Sequence, residues 1–180
     1  RAFSITNGMT MALPPECVDR LIGGQNAYLT GDVRTLIRNL IFARPTIGCF
    51  KPPYAAPNPE QVEIVKHHVE LYKRFVRMQR NSRYFHHTPE LSKLLDGFGI
   101  LEMAEKGAGQ GMIGIFRLAE GEKDEVRVYP RGVDPSKTYA VTLDNFGAEA
   151  VFTGAELIQN GLRVRLGGAL TSELILYRAQ

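Results

Sequence analysis

The spacing of hydrophobic positions changes about halfway along the chain. From Asp32 to Tyr72 they recur at three and four, and Val33, Leu36, Ile37, Leu40 and Ile41 fall on one side of a helix that Pro45 should end. The proline-rich run KPPYAAPNPE follows, too stiff for a flexible linker and too short to set domains far apart. Asn58 is placed to cap the next helix and Pro59 to open it, with Val62, Val65, Val69, Tyr72 and Val76 as its apolar stripe.

After Arg83 the spacing becomes two. The runs YFHHTPEL, FGILEMAE, GMIGIFRLAE, EVRVYPRG, TYAVTLDN, EAVFTG, LRVRLGG and LTSELILY are separated by Gly, Pro, Asp and Asn, a pattern that predicts an antiparallel sandwich. One short helix interrupts the strands. Thr153 can cap it, with Glu156 reaching back in a capping box, and Gly161 can end it. Leu162, Val164 and Leu166 then alternate with Arg163 and Arg165 as a strand, and LTSELILY reads as its partner, the last strand of the sheet. The glycines of KGAGQGMIG suggest a phosphate loop, but no Lys-Ser or Lys-Thr follows and the next run is a strand, so the stretch reads as a hairpin turn.

The first residues are harder to place. MTMALPPECVDRLIGGQ reads as a strand entering a polar loop and then a helix, the repeating unit of a β/α barrel, in which the loop after the strand faces the active site.

Composition narrows the choices. With 44% hydrophobic and 23% charged residues and a formal charge of +3 from scattered Lys and Arg, the chain has no nucleic-acid footprint. No stretch reaches the roughly 20 apolar residues of a membrane helix, and none resembles a signal peptide. The chain opens Arg-Ala-Phe rather than with Met, which fits a fragment or a processed chain. Cys17 and Cys49 either pair or stay as thiols; at this length thiols are favoured, which points to a cytoplasmic setting.

The histidines do not form a metal set. His67 and His68 are neighbours on a helix and should point in different directions; His86 and His87 are neighbours on a strand and should face opposite sides. No Gly-x-Ser-x-Gly elbow is present to carry a nucleophilic serine.

Taken in order, several of these pieces resemble the C-terminal end of clan D glycoside hydrolases of the α-galactosidase and raffinose synthase type. TGDVRTLIRNLIFARPTIGC looks like that family's last barrel helix, an Arg-containing helix leading to a Gly turn. PEQVEIVKHHVELYKRFVRMQRNSRYFHHTP is similar to its long helix with a Tyr-Lys pair, here Tyr72 and Lys73, followed by a segment ending in Pro89. GVDPSKTYAV resembles its Gly-Leu-Asp-Pro-x-x-x-Tyr turn, with Gly132, Asp134, Pro135 and Tyr139 in place. The chain departs from the family in PPECVDRLIGGQNAYLTGD, which lacks its histidine signatures, and at Phe50, Lys51 and Pro52, where the family often carries Leu-Asp.

The resemblance implies an α+β fragment. Residues 1–80 would be the end of a (β/α)8 barrel catalytic domain, and residues 81–180 a C-terminal antiparallel β-sandwich buttressing it. It implies retaining hydrolysis of α-galactosides, which needs two carboxylates about 5–5.5 Å apart. In the family both are aspartates on earlier barrel strands, upstream of Arg1, so no catalytic residue is expected in this segment. The carboxylates nearest the expected active face are Glu16 and Asp19. They read either as contacts to sugar hydroxyls or as an exposed loop acid and an ion pair with Arg20. No metal and no cofactor are implied; the expected partner is a carbohydrate substrate reached through the parent's catalytic domain, with no nucleic acid, no membrane and a homo-oligomer as an option. The alternative is a non-catalytic carbohydrate-binding or structural sandwich. It would need exposed rings to lie against sugar; the chain has no Trp, and Tyr84, Phe85, Tyr129 and Tyr177 would have to serve.

Overall fold

The computed structural model describes residues 2–22, 33–48, 59–89 and 96–180. The chain divides into two compact units, Arg1–Arg80 and Asn81–Gln180. Asp32, Cys49, Asn58 and most of KPPYAAPNPE lie outside the described residues.

The first unit begins with helix α1 (Ala2–Ala12) and a single tight turn, Pro15–Cys17, before strand β1 (Asp19–Ile22). Met9–Ala12 is therefore the end of a helix, not the expected strand, and the strand comes after the polar segment. The burial of α1 accounts for the difference. Thr6, Asn7 and Thr10 are buried beside Phe3, whereas Ile5, Met11 and Leu13 are exposed. The buried hydroxyls are satisfied: Thr10 Oγ1 donates to the Thr6 carbonyl at 2.7 Å, and Asn39 Nδ2 donates to Thr6 Oγ1 at 3.0 Å.

Helix α2 (Val33–Leu40) follows, with Val33, Ile37 and Leu40 buried as the spacing required. It ends before Pro45, which instead lies within strand β2 (Arg44–Ile47). β1 and β2 pair in parallel, Asp19 opposite Arg44 and Ile22 opposite Ile47, so β1, α2 and β2 make one β-α-β crossover. Helix α3 (Pro59–Gln79) opens on its proline, and its buried residues include Val65, His68, Leu71, Phe75 and Met78. Of the expected stripe, only Val65 is buried. His68 moves the face round: its Nδ1–H donates to the Ile64 carbonyl at 2.7 Å, and its Nε2 accepts from buried Arg38 at 3.2 Å.

The second unit supplies a strand for each of the eight runs of period two: β3 (Ser82–His86), β4 (Phe98–Glu105), β5 (Gln110–Arg117), β6 (Glu125–Val128), β7 (Thr138–Leu143), β8 (Ala148–Thr153), β9 (Leu162–Arg165) and β10 (Ser172–Ala179). They are not divided evenly. Six form an antiparallel sheet in the order β3-β4-β5-β10-β7-β8, and β6 and β9 form a separate antiparallel pair. The core lies on one face of the large sheet, where Phe98, Ile100, Ile113, Ile115, Ile175 and Tyr177 meet Val128 and Val164 of the small one.

β10 is the strand most at odds with expectation. It pairs with β5 and β7 in the middle of the sheet and not with β9. Leu174, Ile175, Leu176 and Tyr177 are all buried, as a strand covered on both faces requires. KGAGQGMIG is the β4–β5 hairpin; its left-handed residue is Ala108, φ 52°, and no glycine of the turn takes that place.

The short helix α4 (Gly154–Asn160) has the reciprocal cap, with the Glu156 amide donating to Thr153 Oγ1 at 3.1 Å and the Thr153 amide to Glu156 Oε2 at 2.7 Å. Gly161, φ 61°, ends it. Buried Leu157 ties this helix to the core. Losing the cap should loosen that contact: Thr153→Ala is expected to lower the unfolding free energy of the full chain by about 1 kcal/mol, read from urea midpoints.

Candidate functional site

The most concentrated polar arrangement in the second unit surrounds Glu102, in the middle of β4. The alternation of β4 sends Glu102 to the same face as Phe98, Ile100 and Ala104, into the core, and its side chain is fully buried. Four donors converge on it. His87 Nε2–H donates to Oε2 at 2.7 Å, and the Tyr177 hydroxyl to Oε1 at 2.8 Å. The Gly132 amide donates to Oε1 at 2.8 Å, and the Arg131 amide is shared between the two oxygens at 3.1 and 3.0 Å. The carboxylate thus joins the end of β3, the loop after β6 and the central strand β10.

Gly132 is needed for the approach. A Cβ there would overlap Ala104 Cβ and the Tyr177 hydroxyl and press on Glu102 Oε1. The rest of its loop is fixed a few residues on. Asp134 Oδ1 accepts from the Ser136 hydroxyl at 2.6 Å and from its amide at 2.9 Å, and these bonds, the hydroxyl first, hold the Asp134 carboxyl below the usual aspartate range. The Tyr139 hydroxyl accepts from the Asp134 amide and donates to the Ala108 carbonyl, both at 2.8 Å. The Tyr139 and Tyr177 rings then meet edge to face, centroids 5.8 Å apart. Gly132, Asp134 and Tyr139 of GVDPSKTYAV are thereby assigned structural work.

Chemically, this is an anchor. Every oxygen of Glu102 is occupied by a donor, and no second carboxylate stands in that shell among the described residues. A retaining acid/base pair would need one. Nor are Glu16 and Asp19 drawn into a buried site. Glu16 lies exposed on the Pro15–Cys17 turn. Asp19 Oδ1 accepts from Thr46 Oγ1 at 2.7 Å and faces Arg44 Nε at 3.5 Å, so its ion pair is with Arg44 across the β1–β2 pair and not with Arg20. Both charges are more than half exposed, so the pair contributes little. The rings of His67 and His68 lie edge to face with centroids 5.0 Å apart, His67 exposed and His68 buried. Cys17 is a free, exposed thiol.

Residues 103–176 match the family model described as the glycosyl hydrolase family 36 C-terminal domain. That match lies within the second unit and spans less than half of the chain. It begins one residue after Glu102 and ends one before Tyr177, so the two side chains that meet across the core bracket the matched segment. Solved structures agree in fold. The whole chain superposes on the galactosidase domain of the α-galactosidase-sucrose kinase AgaSK, with TM-score 0.74 and 14% identity. It superposes equally on the family 36 α-galactosidase AgaA of Geobacillus stearothermophilus in complex with raffinose, with TM-score 0.74 and 15% identity, and covers 25% of either chain. For an α-galactosidase from Lactobacillus brevis the TM-score is 0.68 at 13% identity, over 91% of this chain and 22% of that one. The chain thus spans about a quarter of the length of the first of these structures. No curated protein matches it. No helix among the described residues is long and apolar enough to cross a membrane.

The Glu102 anchor predicts a measurable pH profile. Burial, with the Glu102 carboxylate beside it, pushes the Tyr177 hydroxyl well above the ordinary tyrosine range. A raised folded pKa stabilises fully below the unfolded value and ceases to do so as pH rises through the folded one. Stability should therefore fall above about pH 10. Tyr177→Phe should reduce that slope and lower stability at neutral pH by about 1.5–3 kcal/mol, both followed by urea unfolding. Glu102→Ala, which strands all four donors, should cost about 3–5 kcal/mol by the same measurement.

Proposed function

We propose that this chain is the C-terminal part of a retaining glycoside hydrolase acting on α-galactosides. The Asn81–Gln180 unit packs against and buttresses the catalytic barrel, and the Arg1–Arg80 unit is the closing end of that (β/α)8 barrel. What carries the reading is the match of residues 103–176 to the family 36 C-terminal domain model, within a chain whose full length follows the fold of α-galactosidase structures. The parallel β1–α2–β2 crossover supports the assignment of the first unit, since barrels are built from such crossovers.

On this reading the catalytic carboxylates belong to other strands of the barrel. Glu16 and Asp19 are proposed contacts to sugar hydroxyls, Glu16 the freer because Asp19 is held by Arg44 and Thr46. The exposed thiol of Cys17 fits a reducing, cytoplasmic setting, and Ile5, Met11 and Leu13 on the open side of α1 fit a surface covered by further barrel or by a second subunit.

The test is hydrolysis of an aryl α-galactoside by this chain and by the same chain extended upstream through a whole barrel. Activity is expected only in the extended protein. Turnover by the short chain would place the catalytic carboxylates within it and overturn the division of labour proposed. An extended protein that folds yet hydrolyses no α-galactoside would overturn the substrate class.

A further inference from the structure

The second unit carries a small open cleft beside the Glu102 anchor. It measures about 130 Å³ and is lined by Arg83 and Phe85 of β3, Glu105, Lys106 and Ala108 of the β4–β5 hairpin, and the loop from Arg131 to Val133. Three cations from three separate segments thus reach one depression, and all three side chains are exposed. None has an acidic partner among the described residues. Elsewhere in the unit, exposed arginines do find acids: Arg163 faces Glu125 at 3.9 Å and Arg165 faces Asp124 at 3.5 Å.

The backbone that carries these cations is held in place. The Arg131 amide is bound to buried Glu102, the Lys106 amide donates to the Asn81 carbonyl at 2.9 Å, and Ala108 is fixed through its carbonyl by Tyr139. Lys137 Nζ donates to the Gly107 carbonyl at 2.7 Å, which secures the hairpin from outside. The one acid of the lining, Glu105, has its carboxylate against Gly109, where a Cβ would collide with Oε2. That leaves three positive groups against one negative. Because the Arg131 and Gly132 amides are already spent on Glu102, side chains alone would hold a ligand.

We propose that this cleft binds a small oxyanion, held by Arg83, Lys106 and Arg131. Guanidinium groups match the geometry of carboxylate and phosphate oxygens. Two sources share that chemistry. In one the oxyanion is the carboxylate of an acidic sugar, whose carbon skeleton would lie on the Phe85 ring; in the other it is a free phosphate, which has no use for that ring.

Titration of the full chain with galacturonate, inorganic phosphate and neutral galactose, followed by NMR amide shifts, tests the proposal. Shifts at Arg83, Lys106, Ala108 and Arg131 are expected with galacturonate or phosphate and not with galactose, and they should weaken as salt is raised. Arg131→Ala and Lys106→Ala, both at exposed side chains, should each reduce affinity about threefold to tenfold without altering the unfolding midpoint. Phe85→Ala weakening galacturonate but not phosphate identifies the acidic sugar as the source; phosphate binding unaffected by Phe85→Ala, with no galacturonate binding, identifies the phosphate. The proposal is overturned if neither anion shifts these amides, if galactose shifts them equally, or if the cation variants bind as the parent does.

Discussion

The second unit depends on one buried carboxylate. Glu102 could not stay in an apolar core without partners, because desolvating a carboxylate costs far more than any single hydrogen bond returns. Its four donors come from three places distant in sequence, so satisfying the charge also fixes where the end of β3, the loop after β6 and the central strand β10 sit. A hydrophobic residue would fill the same volume without choosing among loop positions. The acid makes one arrangement of the 131–139 loop better than the rest, and the Asp134 turn and Tyr139 then lock it.

A similar device works at the far end of β4 and β5. Arg117, itself buried, lies over the Phe98 ring at 4.8 Å and donates to the carbonyls of Ala119, Gly121 and Lys123. Asp96 takes the Glu122 and Lys123 amides, and these bonds, that of Lys123 first, hold its carboxyl below the usual range. The 118–124 loop is thus fastened by one cation for its carbonyls and one anion for its amides. Small sheets with polar inner positions use such fasteners where apolar area alone leaves loops undetermined.

The period of two made all eight strands of this unit legible, and Thr153, Glu156 and Gly161 made the short helix legible to within a residue. What stayed hidden was polar burial. Glu102 in FGILEMAE and Thr6, Asn7 and Thr10 in α1 sit on inner faces, where hydropathy alone would turn them outward. The clue for Glu102 was parity, since it shares the face of Phe98, Ile100 and Ala104, and an acid there demands partners. No such clue gave the pairing of β10, because which strands neighbour one another depends on long-range closure that local alternation does not encode. His68 illustrates the same limit in α3: counted as polar, it is buried because Arg38 and the Ile64 carbonyl occupy its two nitrogens.

If the Glu102 carboxylate is the anchor of the second unit, the Arg131 and Gly132 amides are core hydrogen bonds although they lie in a loop. Native-state hydrogen exchange resolves them individually. The account predicts that both exchange as slowly as the amides of β10. Exchange at the rate of the exposed turns at Gly107 and Gly167 would contradict it, because the loop would then open without disturbing the carboxylate it is said to depend on.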